Sequence, residues 1–320
     1  MNCWLWRPGN NEGQPRKVDF VGCYGILATA TIDELGNSMK IQPRDHAGAE
    51  IADVDLRALT ENQFEALAQA FARYGLLFFR DQNLSEVDHI QFAERWGAIN
   101  VNRFFKAHAN FPEIALVEKT PEQEMNIGGG WHTDHSYDEI PALGSILVAR
   151  VLPPTGGDTW FISAADAFDR LDSQLQMRLQ TLTATHSGKH VFGEAAAYMQ
   201  AGQLTGRFNS PEKADAMSDP VHPVVIAHPL SGRATLYVNP AFTLRINELS
   251  EADSAAMLET LYAEMSDERH VERFDWQPGS IAFWDNRATW HYAQNDYPGF
   301  ARSMHRITIE GQPLHAFAKN

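Results

Sequence analysis

A His132-Thr133-Asp134 triplet, answered almost half the chain later by His291, constrains this sequence more than any other feature. Two imidazoles and one carboxylate occupy one face of an octahedral metal. They leave three positions open for a chelating co-substrate and O₂, the ligand arrangement of non-haem Fe(II) oxygenases. In an extended strand, residues i and i+2 point to the same side, so His132 and Asp134 are expected to share one ion. The third ligand comes from a distant segment that must fold back onto the first. A His-x-Asp alone carries little weight in a chain with 13 histidines. Here Gly128-Gly129-Gly130-Trp131 precede it and suit a backbone that bends close to a buried site. His135 is the rival ligand; on a strand it faces away, and it is expected behind the site or on the surface.

The rest of the chain reads as an ordinary globular protein. Hydrophobic residues make up 44% and charged residues 21% of its 320 positions, enough for a sizeable core. No apolar run is long enough to span a membrane, and the first residues lack the apolar stretch of a secretion signal. Both cysteines, Cys3 and Cys23, lie near the start, which excludes a disulfide framework and a cysteine zinc site. A reducing cytoplasm is the expected compartment. The net charge of −15 argues against a nucleic-acid partner, which needs a basic footprint.

Residues 1–38 hold Gly, Pro and Asn with little periodicity and read as an irregular extension, with Met39 as a possible true start. Residues 39–320 form the patterned domain. Thr60 with Gln63 and Ser85 with Asp88 have the form of N-terminal capping boxes. They open helices that run to Gly75 and to about Trp96. Ser163 with Asp166 opens a helix expected to reach about Leu182, and Ser250 with Asp253 opens one over 251–265. Strands are expected at 76–79, 146–151, 221–227, 234–238, 280–284 and 306–310. Residues 190–220 read as a lid or long loop, with Phe192 and Phe208 as its aromatics. Strands dominate the half that carries the triad. The expected fold is mainly β with α, a double-stranded β-helix (jelly-roll) core with flanking helices.

Further motifs join the triad: Pro153-Pro154-Thr155-Gly156-Gly157-Asp158-Thr159, His222-Pro223-Val224-Val225, Tyr237-Val238-Asn239, the run from Trp284 to Ala293, and the run from Arg302 to Ile309. In this order, over about 39–313, the chain resembles the TauD/TfdA family of Fe(II)- and 2-oxoglutarate-dependent dioxygenases. That resemblance implies that His132, Asp134 and His291 ligate Fe(II). It implies that 2-oxoglutarate chelates the metal while its far carboxylate meets Arg302 and the Thr159 hydroxyl. A guanidinium fork matches a carboxylate, and such a bond is strong in a dry pocket. It also implies hydroxylation of a substrate C–H bond by O₂, with 2-oxoglutarate decarboxylated to succinate and CO₂. Arg306 matches the position that grips a substrate anion, or it buttresses the co-substrate. The chain departs from taurine dioxygenase where that enzyme holds taurine: Asn102 stands for a histidine, the 128–130 glycines for an asparagine, and Phe105 for a tyrosine. Loss of those polar contacts argues against taurine itself. The expected substrate is a small anionic organic molecule: a sulfonate, a sulfate ester, or an aryloxy or alkyl carboxylate. Phe104, Phe105 and the 192–208 aromatics favour a larger, more apolar body. Relatives are often dimers or tetramers.

Three other readings stay open: the same chemistry on an uncharged apolar metabolite, a metal-dependent barrel hydrolase with a two-histidine, one-carboxylate zinc site, and a degenerate small-molecule binder. Arg302 and Thr159 discriminate against the hydrolase, which needs no anchor for a second carboxylate. The intact triad discriminates against the binder.

Overall fold

The computed structural model describes residues 39–196 and 211–318. The extension 1–38 and Phe208 lie outside the described residues.

Sixteen strands fall in four sheets among the described residues. The largest contains β1 (Lys40–Pro43), β2 (Ala49–Ala52), β3 (Leu76–Phe79), β4 (Ile99–Asn100), β5 (Ala115–Lys119), β6 (Gly144–Val151), β14 (Ile281–Asp285) and β16 (Arg302–Ile309). Its order is β1-β2-β3-β14-β6-β16-β4, with β5 also on β16. Every pairing is antiparallel except β2 with β3. A second sheet runs β13 (Glu272–Phe274), β7 (Thr159–Ser163), β15 (Thr289–Ala293).

Period-two alternation decides what each face of the large sheet does. Leu77, Phe79, Ile146, Val148, Ile281, Phe283, Ile307 and Ile309 point one way, into a core with helices α1 (Glu61–Tyr74) and α2 (Glu86–Glu94). Leu76, Phe78, Leu147, Ala282, Trp284 and Met304 point the other way and meet Phe161 and Phe274 of the second sheet. The far side of that second sheet, through Ile162 and Trp290, packs on α3 (Ala164–Arg170) and on the late helix Glu251–Met265. Arg302 and Arg306 share the inward parity of Met304, so they project between the two sheets.

The helix starts follow their local chemistry. Thr60 and Ser85 both form complete capping boxes, and Ser163 and Ser250 accept from the backbone of Asp166 and Asp253. Gly75 closes α1 at φ 66°, a conformation that costs glycine little. Two expectations need correction. The helix expected from Ser163 to Leu182 is two: α3 ends at an extended Leu171, and Asp172 caps α4 (Ser173–Leu179) by accepting from Gln174 and Leu175. The strand expected at 221–227 is also two. β9 (Val221–Pro223) pairs with β8 (Thr183–His186), and β12 (Thr243–Ile246) lies on the other side of β8. β10 (Val225–Ala227) pairs with β11 (Ala234–Leu236) instead. Val224 is the crossover, donating to Leu182 and accepting from Tyr237. Within the expected lid, the described ends carry α5 (Lys189–Phe192) and α6 (Pro211–Asp215); the late helix Glu251–Met265 is α7.

Candidate metal and co-substrate site

His132 and His291 meet through a single antiparallel bridge, each backbone N–H donating to the other's carbonyl at 3.1 and 2.8 Å. Their rings sit 4.1 Å apart. The chain does not stay extended after His132, as the i, i+2 argument expects. Asp134 begins a turn, His135 takes a left-handed φ of 62°, and Asp138 N–H closes back on the His135 carbonyl. The carboxylate reaches the histidines from that turn: Asp134 lies 3.8 Å from His132 Nε2 and 3.8 Å from His291 Nε2. One ligand atom from each of the three falls within 4.8 Å of the others. His135 lies outside this group; it is buried and bonded through Nδ1 to Asp138 at 2.8 Å, so it is not on the surface.

Neighbours hold each donor in a ligating form. Gly130 carbonyl lies 2.8 Å from His132 Nδ1, so that nitrogen donates and Nε2 offers its lone pair. Burial, then the adjacent His132, push the His291 pKa well below the usual range and keep the ring neutral. Burial works to raise the Asp134 pKa, and positive charge, foremost the Arg306 guanidinium, outweighs it and leaves the carboxyl ionised. Arg306 Nη1 donates to Asp134 Oδ2 at 3.1 Å and Ser145 Oγ to the same oxygen at 3.3 Å.

A clamp behind the triad fixes its register. Asp285, at the end of β14, accepts from Arg287 Nε and Nη2 and lies 3.1 Å from His228 Nε2, all of it buried. This turn hands the chain from β14 to β15, which carries His291. The next carbonyl, of Asn286, accepts from the Thr133 hydroxyl, between His132 and Asp134. Trp284 to Arg287 stood out in the sequence only as a motif. Its holding role was not legible there, because Thr133 and His228 reach it from other parts of the chain. Ser145 was hidden within an apolar strand.

The triad opens into a cavity of about 380 Å³. Thr159, Arg302 and Arg306 line it together with His132, Asp134 and His291. Arg302 is buried, over Trp276 at 5.7 Å, and its Nε and Nη2 have no hydrogen-bond partner. Burial lowers its pKa. Thr159 Oγ1 accepts from Trp276 Nε1 at 2.9 Å, so its own proton remains for a cavity ligand. Phe105 lines the cavity under Arg306, whose guanidinium lies 4.3 Å from the ring centre. Asn102 is not among the lining residues. Its Oδ1 accepts from the backbone of Phe104 and Phe105, so it shapes the loop that presents Phe105. Phe104 is likewise buried behind the wall, stacked on Phe192 at 4.5 Å, while Phe192 lines the cavity.

One buried and one half-buried imidazole with an ionised carboxylate fit a divalent iron, and unpaired guanidinium donors with a threonine hydroxyl in the same cavity fit a carboxylate. This combination defines a class: metal sites that take an acid co-substrate. The comparisons are more specific. The taurine catabolism dioxygenase TauD, TfdA family matches residues 39–308, and the chain belongs to that family. Its members use Fe(II), 2-oxoglutarate and O₂. Among its relatives is an alpha-ketoglutarate-dependent sulfonate dioxygenase of Saccharomyces cerevisiae, 31% identical over 85% of this chain and 66% of the yeast protein. An alkylsulfatase of Acinetobacter baylyi is 30% identical over 83% of this chain and 82% of its own length. The crystal structure of a taurine dioxygenase from Burkholderia xenovorans superposes with a TM-score of 0.71 at 29% identity, over 87% of this chain and 93% of that one.

Proposed function

We propose that the chain is a dioxygenase that hydroxylates a C–H bond of a small anionic substrate: a sulfonate, a sulfate ester, or an aryloxy or alkyl carboxylate. The observation that carries this reading is Arg302, a buried residue that lines the same cavity as the triad and whose Nε and Nη2 have no hydrogen-bond partner. A buried guanidinium without a carboxylate is costly unless a ligand supplies one. His132, Asp134 and His291 hold Fe(II). Arg302 and the Thr159 hydroxyl hold the far carboxylate of 2-oxoglutarate. When bound, Fe(II) with 2-oxoglutarate and O₂ supplies the oxidant for the C–H bond, releasing succinate and CO₂.

The remaining work belongs to the protein. Gly130 orients His132, and burial keeps His291 neutral. Arg306 and Ser145 keep Asp134 ionised and aimed. Arg306 donates Nη1 to Asp134 and lines the cavity, where the rest of its guanidinium meets the substrate anion. Phe105, Val117, Ile127, Leu147, Phe192 and Phe242 form apolar walls that exclude water and suit a hydrocarbon or aryl body. The relatives named for sulfonates and alkyl sulfates support this head-and-body substrate.

We further infer that the two facing sheets form a distorted double-stranded β-helix. Residues 39–320 make one domain with 1–38 outside it. The protein acts in the cytoplasm as a dimer or tetramer, without nucleic acid. The test of function is succinate formation by the Fe(II)-loaded protein with 2-oxoglutarate and O₂, across sulfonates, alkyl sulfates, aryloxyalkanoates and uncharged terpenoids. Stimulation by the anionic members is expected. Stimulation by the uncharged members alone overturns the anion assignment, and no 2-oxoglutarate binding overturns the whole reading.

A further inference from the structure

We propose that Glu86, His108 and His305 form a second divalent-cation site, on the face of the large sheet opposite the cavity, for a borderline transition ion such as Zn²⁺. One ligand atom from each residue lies within 4.8 Å of the others. They come from three elements. Glu86 is the first residue of α2, His108 sits in the loop before β5, and His305 lies on β16. His305 follows Met304 and precedes Arg306, so alternation turns it away from the cavity, toward the helices. None of the three lines the cavity.

The donor set is chemically coherent. Two imidazoles and one carboxylate favour Zn²⁺ or Co²⁺ over Mg²⁺ or Ca²⁺, which prefer oxygen. Glu86 Oε1 lies 3.6 Å from His305 Nδ1, and the two imidazole rings are 5.4 Å apart. Asn110 N–H makes only a long, exposed contact of 3.3 Å with His108 Nδ1, and an ion at Nε2 replaces it by taking the tautomer with the proton on Nδ1. Glu86 and His108 are half-buried, which gives an ion and its water a way in.

Arg150 supplies the positive charge in the metal-free chain. Its Nε donates to His305 Nδ1 at 3.1 Å, and Nη2 stands 3.7 Å from Glu86. The fit is incomplete, since Nη2 is buried without a hydrogen-bond partner. A divalent ion replaces this guanidinium edge at Glu86 and His305, while Nη1 keeps its 2.6 Å bond to the Leu84 carbonyl. The bound ion ties the 108–114 loop to α2 and β16.

The experiment is a Co²⁺ titration of the metal-stripped full-length chain. It is read by visible absorption and by bound metal per chain after gel filtration. Two ions per chain are expected in the wild type. One is expected in His108→Ala, and one in the His132→Ala/His291→Ala double variant. Succinate formation at saturating Fe(II) is expected to survive His108→Ala. Arg150→Gln, which removes the competing cation, is expected to tighten the second binding event. A wild type that binds one ion, or a His108→Ala chain that still binds two, overturns the site. Weaker second binding in Arg150→Gln overturns the exchange with arginine.

Discussion

Arg302 and Arg306 leave the same strand toward the same cavity, yet their charges are balanced differently. Arg306 has a carboxylate partner in Asp134, whereas Arg302 has unpaired donors. A charge-assisted bond to a carboxylate is worth roughly 1.5–3 kcal/mol. Arg302→Lys loses the planar fork, so the KM for 2-oxoglutarate is expected to rise by roughly 10–100-fold, with a smaller fall in kcat. Succinate formation against 2-oxoglutarate concentration checks this, and an unchanged KM refutes the anchor. Gly128 also acts at this scale. It sits at φ 78°, and a Cβ there would stand 3.2 Å from His132 Cε1. Gly128→Ala is expected to push that ring and weaken Fe(II) binding by roughly tenfold, as displaced supporting groups do. Anaerobic Fe(II) titration reads the effect; wild-type affinity would show that the glycine is dispensable.

Elements whose ends are decided locally were legible; those decided by neighbours were not. Capping pairs three residues apart, Thr60 with Gln63 and Ser85 with Asp88, satisfy orphan N–H groups without help from the rest of the fold. Thr60→Ala is therefore expected to cost about 1 kcal/mol, seen as a lower denaturation midpoint, with KM for 2-oxoglutarate unchanged. The 164–182 helix and the 221–227 strand failed for a different reason. Asp172 offers a second cap inside an apparently continuous pattern, and Val224 must change partners between two sheets. The His132–Asp134 geometry shows both sides. His132 and Asp134 do come together, but through a bridge to His291 and a turn at His135 rather than along a strand.

Across the whole molecule, buried histidines set the response to acid. His89 is fully buried and held at about pKa 3, with burial the main cause, and His186 is pushed well below the usual range for the same reason. Folded, each stays neutral; unfolded, each takes a proton below its ordinary value of 6.5. Their contribution is intact above that pH and is lost progressively as pH falls toward the folded values. Asp134 and Asp285 have depressed pKa values, so their contribution fades only below the ordinary carboxylate value of 3.8. The melting temperature of the metal-free protein is thus expected to decline between about pH 6.5 and 4.5, before any carboxylate effect. A flat profile across that range contradicts the histidine assignment. The sequence by itself determined the family, the residue types of the candidate metal group and the helix starts at Thr60, Ser85, Ser163 and Ser250, because donor chemistry and capping depend on residue identity at short spacing. Only the tertiary structure decided that Ser145 and Arg306 share Asp134, that Asn102 serves a loop, and that the Arg306 face of β16, not the His305 face, meets the cavity. Those outcomes depend on sheet parity and long-range register, which no local pattern encodes.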